Sequence, residues 1–308
     1  MAKTKVKAPV RAKQKTRRHH ARRRVSTTAL VVVAVALASA IVVTALVLTR
    51  NDQQPSVGSA PVVGGDLHSM FIPKNSALMF VGGHEAVGVS RDAGASWTGV
   101  ASLERADAMG WAQLGDTLFV GGHPGLEVST DGGTTFEPRN DGLPSTDVHA
   151  LGGAGSTLYA ASPAAGFLVS SDEGVTWEIR NPQVGQGFMG ALLVDPDDPA
   201  HVIAPDMQAG AVETTDGGLT WRALGGVPGA MWLSWDPSDR DRIVISGLGT
   251  AALSQDGGRN WQPVQVPSGT SIVAIDPGDT STWYSAAWSD GEALLSSSVD
   301  AGRTWTPM

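Results

Sequence analysis

The sequence predicts an all-β protein, a six-bladed β-propeller of four-stranded antiparallel blades preceded by one transmembrane helix. Three observations predict it. An eight-residue phrase recurs six times, each period carries four short strand signals, and one apolar run near the N-terminus is long enough to span a bilayer. The phrase is Ser/Thr-x-Asp-x-Gly-x-Ser/Thr/Asn-aromatic, first seen as Ser90 to Trp97. Its aspartates, Asp92, Asp131, Asp172, Asp216, Asp256 and Asp300, are 39, 41, 44, 40 and 44 residues apart. A near-constant period of this size marks a repeated supersecondary unit. The chemistry is that of a hairpin clasp: Asp and hydroxyl groups bond to turn amides, Gly supplies a positive φ, and the ring covers the turn.

In chain order, residues 1–28 read as a basic cytoplasmic tail, 29–49 as a transmembrane signal anchor, 50–61 as a linker and 62–308 as the propeller. Ala29 to Leu48 holds only Ser39 and Thr44 as polar residues, and 20 residues at about 1.5 Å each cross a bilayer. Eleven Lys and Arg precede it and only Arg50 directly follows, so the positive-inside bias keeps the N-terminus cytoplasmic and the propeller outside a plasma membrane crossed once. A cleavable signal is the rival reading, from Ala38-Ser39-Ala40 and the paired arginines, but that tripeptide lies inside the apolar run. Asn51 to Pro61 has the Pro, Gly and Ser of a flexible spacer. The chain has no cysteine, which excludes disulfides and thiolate metal sites.

Charge narrows the partners. Residues 51–308 hold ten basic and thirty acidic groups, a net charge of -20 that repels nucleic acid and favours cations or basic partners. Within this region, strands are expected in the second unit over 107–113, 117–121, 126–129 and 136–139, and in the third over 147–152, 156–161, 167–170 and 177–180. Asp195-Pro196, Asp236-Pro237 and Asp276-Pro277 are turn openers between the first two strands of the later units. Six units fill the region with almost nothing left over, and residues 61–63 are available as an extra outer strand to close the ring.

The six clasps resemble the Asp-box (BNR) repeats of sialidases, related glycosidases, sortilin-type receptors and photosystem II assembly-factor propellers. The resemblance covers nearly all of 62–308. It implies fold rather than activity, and it implies that the clasp aspartates are structural, on the face opposite the ligand site. Sialidase chemistry would further require an arginine triad, a tyrosine nucleophile and acidic partners. Met70-Phe71-Ile72-Pro73 has Phe71 where that family's opening motif has arginine, and Arg91, Arg259 and Arg303 lie inside clasps. Arg139, Arg180 and Arg222 read as solvated surface, and Tyr159 and Tyr284 as packing residues. A sialidase-like hydrolase therefore stands as an alternative without evident catalytic residues, and an assembly factor for a membrane complex as another.

The opposite rim carries the candidate site. Asp66-Leu67-His68, Asp107-Ala108-Met109 and Asp147-Val148-His149 align at the starts of innermost strands. Gly82-Gly83-His84 and Gly121-Gly122-His123 fall in loops between second and third strands, with Asp206-Met207 in the fourth unit. Met189 and Met231 open the next two innermost strands in an unsettled register. The expected metal ligands are His68, His84, Met109, His123 and His149; the expected ligand-binding residues are Asp66, Asp107, Asp147, Asp206 and Trp288. Imidazole with thioether suits copper, whereas imidazole with carboxylate suits zinc. Packing of the channel wall is the competing reading. Trp288, expected in a top-face loop, offers a flat ring for a sugar or peptide. The chain thus reads as a membrane-anchored module that binds a ligand, carbohydrate or protein partner through its top face.

Overall fold

The computed structural model describes residues 58–308; the tail, anchor and most of the linker expected from the sequence lie outside the described residues. Among the described residues no helix is long and apolar enough to cross a membrane. The repeats fold into six sheets. Blade 1 holds β1 (Leu67–Phe71), β2 (Met79–Gly83), β3 (Val87–Ser90) and β4 (Thr98–Gly99); blade 2 holds β5 (Asp107–Leu114), β6 (Thr117–His123), β7 (Gly125–Ser129) and β8 (Glu137–Pro138). Blade 3 follows with β9 (Ala150–Ala154), β10 (Thr157–Ser162), β11 (Gly166–Ser170) and β12 (Glu178–Asn181). In blade 4 the innermost strand is split into β13 (Gly190–Ala191) and β14 (Leu193–Val194), ahead of β15 (Val202–Asp206), β16 (Gly210–Thr214) and β17 (Arg222–Gly225). Blade 5 comprises β18 (Trp232–Asp236), β19 (Asp239–Gly247), β20 (Thr250–Ser254) and β21 (Gln262–Val264), and blade 6 comprises β22 (Thr270–Ile275), β23 (Trp283–Ser289), β24 (Glu292–Ser298) and β25 (Thr306–Pro307). Strands otherwise pair in sequence order within each blade, but β13 pairs parallel with β9 of the blade before it, which makes that sheet five-stranded and leaves β14 to β17 as the blade 4 sheet.

All six phrases close the hairpin between the third and fourth strands with one hydrogen-bond pattern. In blade 3, Ser170 Oγ donates to Asp172 Oδ1 at 2.8 Å, Gly174 N–H donates to Ser170 Oγ at 2.8 Å, and Thr176 donates its N–H and hydroxyl to the two Asp172 oxygens at 2.8 and 2.6 Å. The sequence suggests one left-handed residue per clasp, but there are two: Glu173 and Gly174 have φ of 59° and 82°, and Ala93-Gly94 and Ala301-Gly302 repeat this. At Ala93 and Glu173 the first position is exposed and accepts a side chain. The second does not, because a Cβ there would strike the preceding blade: at Gly133 it would lie 2.4 Å from Phe80 and at Gly218 2.4 Å from Phe167.

Blade 1 packs instead on blade 6, whose last residues lie against the blade 1 clasp. A Cβ on Gly94 would lie 2.3 Å from Met308, the last residue. Gly58 exchanges backbone bonds with Trp97, and Val62 bridges to Glu292 beside β24. The end of the expected linker is therefore part of the fold, and the 61–63 segment lies along the outer side of blade 6. The apolar core runs between blades, as in Phe80, Trp111 and Phe136, whose rings pack within 5.0 to 6.1 Å. Arg180, expected as free surface, reaches the next clasp, donating to the carbonyls of Asp216 and Gly217; Arg139 likewise donates to Glu173 O. Arg222 pairs with Glu213 in its own blade.

Innermost strands begin with a shared irregularity. The register jumps between Leu67 and Ser69, Ala108 and Gly110, and Thr270 and Ile272, leaving His68, Met109 and Ser271 as extra residues. His149 and Met231 occupy the same place, since their N–H groups bond to Ala161 O and Ser246 O, whose residues already face Ala150 and Trp232. Met189 completes the circle through its bond to Pro205 O. The bulge settles the register that the sequence left open. It also means that residues 147–149, expected within a strand, precede β9.

Clasp carboxylates make stability acid-sensitive. Hydrogen bonds from Thr176 and Thr304 hold Asp172 and Asp300 down to about 2, against an ordinary value of 3.8. A depressed carboxylate contributes stability that is fully present above the unfolded value and lost as pH falls through the folded one. Melting temperature should therefore be level near neutrality and fall as pH drops from about 4 to 2. Asp172→Asn should lower the neutral melting temperature and flatten part of that acid slope; an identical profile would contradict this account of the clasp.

Candidate metal centre

The clasps and the hairpins between first and second strands share one face of the ring. The starts of the innermost strands and the hairpins between second and third strands share the other, the rim face. On the rim of blades 1 to 3 the glycine pairs decide the geometry. A Cβ on Gly122 would sit 1.4 Å from Asp107 O, and one on Gly83 would sit 2.0 Å from Asp66 O. Glycine at these two positions lets each hairpin backbone press against the start of its innermost strand. His84 and His123 are thereby set beside the rim aspartates, and Asp107 faces His123 in register. Val148 N–H bonds to Gly122 O and ties the start of blade 3 to the same place.

Four histidines and two aspartates meet there. Asp107 Oδ1 lies 3.5 Å from His68 Nε2, while its Oδ2 lies 3.5 Å from His84 Nδ1 and 3.3 Å from His123 Nδ1. Asp147 Oδ1 lies 2.9 Å from His123 Nε2 and 2.8 Å from His149 Nε2. Two groups result, His68–His84–Asp107 and His123–Asp147–His149, each offering three donor atoms within 4.8 Å of one another. Asp66, the carboxylate of the same blade and expected as a ligand-binding residue, is farther from His68 Nε2 at 3.9 Å, so the closer carboxylate comes from the next blade.

Electrostatics favour a cation. The Asp107 side chain is only 8% exposed, yet among the described residues its Oδ1 accepts no hydrogen bond and neither nitrogen of the nearby His68 ring has a hydrogen-bond partner. Among the described residues Asp147 Oδ1 also accepts no hydrogen bond, although His123 and His149 approach it at 2.9 and 2.8 Å. Burying a carboxylate oxygen unpaired costs on the order of 1–3 kcal/mol or more. Burial also lowers the pKa of His149, against the opposing pull of Asp147, so its imidazole is neutral and its lone pair is available near neutrality. Imidazoles converging on carboxylate oxygens are a ligand set for a borderline divalent cation.

Other expected residues lie elsewhere. Asp206 ends β15 and caps the next turn, accepting from the amides of Gln208 and Ala209. Met109 is the buried bulge residue of β5. Trp288 is part of β23 rather than a loop; it is 45% exposed and its indole N–H donates to Gly64 O, so it joins the last blade to the first. His201 pairs with Glu213 at 2.8 Å, away from the rim group. Tyr284 and Tyr159 are buried in strands and burial raises both hydroxyl pKa values, as suits packing residues.

The sequence reading missed a cavity on the clasp face. At that end the channel opens into about 460 Å³ lined by Phe71, Trp111, Trp232 and Trp235, with Lys74 and Arg240 among the lining residues. Arg240 is held by Asp195 and Asp197, and no Asp or Glu is among the described residues lining it. Its sequence signal was present in the aromatic residues of the innermost strands and the Asp-Pro turns beside them.

No protein-family model matches the chain. An oligoxyloglucan-reducing end-specific xyloglucanase of Emericella nidulans is 25% identical over 123 residues, which are 34% of this chain and 15% of that protein. Among solved structures, the GH74 xyloglucanase of Xanthomonas campestris aligns over 82% of this chain and 47% of its own, at 18% identity and a TM-score of 0.54. The GH74 enzyme of Niastella koreensis aligns over the same shares at 17% identity and 0.57. YCF48 bound to D1 peptide aligns over 83% of this chain and 85% of its own, at 18% identity and 0.51. This chain spans about half the length of the GH74 structures. At these identities the likeness is one of fold, the propeller.

The rim geometry depends on the glycine pairs. Gly122→Ala should cost about 3 kcal/mol, a drop in melting temperature of roughly 5 to 10 °C, and it should displace His123 from Asp107. Gly99→Ala, where a Cβ meets nothing within 4 Å, should leave the melting temperature unchanged. Equal melting temperatures for the two variants in a thermal denaturation series would refute the packing argument.

Proposed function

We propose that the protein is a membrane-anchored, extracytoplasmic binding module of the Asp-box type that holds a divalent cation of the zinc class on the rim of blades 1 to 3. The observation that carries this reading is Asp107, a buried carboxylate with an unpartnered oxygen, faced by the imidazoles of His68, His84 and His123. Ligand-to-ligand spacings in a tetrahedral zinc site with bonds near 2.0–2.1 Å are about 3.3 Å, and the separations from Asp107 lie at 3.3 and 3.5 Å. The anchor and the outward orientation rest on the apolar run and the basic tail. His84 and His123 have side-chain exposures of 60% and 50%, so a bound cation would present open coordination positions to a ligand or partner. Copper(II) accepts the same donors, and the thioethers at the bulge level are the feature that would favour copper(I).

A glycoside hydrolase is the second reading, and the GH74 likeness favours it. Against it stand the absence of carboxylates from the aromatic cavity and the dispersal of the arginines to ties between and within blades. An assembly role has the fold of YCF48 as its support, though the acidic surface here would suit a basic partner. Turnover of a xyloglucan and glycoside panel would favour the hydrolase.

Zinc at about 100 times its dissociation constant should stabilise the protein by about 2.7 kcal/mol, seen as a rise in melting temperature that chelator reverses. His68→Ala and Asp107→Asn should each reduce the rise. A wild-type protein whose melting temperature does not respond to zinc or copper would overturn the reading.

A further inference from the structure

Resting on the cation reading above, we propose that the rim holds two cations rather than one, in adjacent sites coupled through the Asp107–His123 contact. The first would be bound by His68, His84 and Asp107; the second by His123, Asp147 and His149.

The argument begins with what one cation can satisfy. The two groups have no residue in common, and each brings three donors, the number that a zinc ion with one or more open positions takes from protein. A single ion within the first group leaves Asp147 Oδ1 buried and without a hydrogen bond; an ion within the second leaves Asp107 Oδ1 and both nitrogens of His68 in that state. Only occupancy of both groups gives every one of these carboxylate oxygens a counter-charge.

His123 sets the division. Its ring stands between the two carboxylates, with Nδ1 at 3.3 Å from Asp107 Oδ2 and Nε2 at 2.9 Å from Asp147 Oδ1. With the proton on Nδ1, the ring donates to Asp107 and leaves the Nε2 lone pair for the second ion. A ligating carboxylate thus orients the imidazole of the neighbouring site, the kind of outer contact that fixes tautomer and ring direction in metal centres. The first site supplies the orienting group for the second, so losing Asp107 should weaken both, whereas losing a ligand on the far side of either site should remove only that site. His84 and His149 are those far-side ligands, on blades 1 and 3. Two rings pack on each side, His68 with His84 at 6.0 Å and His123 with His149 at 5.9 Å between centroids, which keeps the groups distinct.

The test is zinc stoichiometry on the full chain in mild detergent, by equilibrium dialysis with elemental analysis. Wild type is compared with His84→Ala, His149→Ala, Asp147→Asn, the His84→Ala/His149→Ala double variant and Asp107→Asn, with circular dichroism confirming the fold. The expected result is that His84→Ala loses one equivalent, that His149→Ala and Asp147→Asn each lose one, and that the double variant loses two. Asp107→Asn should lose one equivalent and weaken the remaining site by roughly tenfold, the lower end of the range for outer contacts. If His84→Ala or Asp147→Asn alone loses everything that the double variant loses, the rim is a single centre; the cation reading then stands and the two-site proposal falls. If the double variant binds as much zinc as wild type, the rim binds none and both fall together.

Discussion

The fold depends on one small hydrogen-bonded turn made six times. A Ser or Thr hydroxyl donates to Asp while accepting an amide two residues beyond that Asp, and the Asp takes two further donors from the residue four places on. This satisfies the polar groups of a tight hairpin with side chains close in sequence, so it forms with little loop entropy. The glycine adds a long-range consequence. Its missing side chain is where the preceding blade packs, against Phe80, Phe167 and, at the junction of the ends, Met308. One turn therefore closes a blade and docks it on its neighbour. Arg180 strengthens the same junction by reaching two carbonyls of the next clasp.

A ring of this kind brings residues distant in sequence to one rim at fixed intervals. The innermost strands start with a bulge, and residues 68, 109, 149, 189, 231 and 271 come to one level around the channel. Hairpins closed by Gly83 and Gly122 fold down beside that level. Across the first three blades the sequence places imidazole and carboxylate where these features meet. The result is a carboxylate held almost out of water with one oxygen on His123 and the other without a hydrogen bond among the described residues, amid a domain whose net charge is strongly negative. Such an arrangement is costly to the apoprotein and is offset when a cation is bound.

Much of this was legible from the residues. The clasp phrase gave the number of blades and most strands within one or two residues, because a strict period and a turn with unmistakable chemistry reinforce each other. The four rim histidines were found by aligning repeats, which places them by height and face. Alignment cannot supply the lateral relation between blades, which is what sets Asp107 rather than Asp66 nearest to His68. Trp288 falls in a strand rather than a loop since the β23–β24 hairpin is longer than its counterparts, and Arg180 is not free surface since its partners are backbone carbonyls that carry no sequence signature. The bulge was equally hidden: it shows only in the register of two strands, and it decides where Met189 and Met231 lie.

The central claim is that the rim of blades 1 to 3 is built to hold a cation between His68, His84, His123 and His149 and the carboxylates of Asp107 and Asp147. Crystals of the zinc-soaked protein, measured on both sides of the zinc absorption edge, test it most directly. The account predicts anomalous density lying between Asp107 and the imidazoles of His68 and His84, within bonding distance of their donor atoms. Zinc density found only at other surface carboxylates, with the rim side chains in hydrogen-bonded pairs of their own, would contradict it.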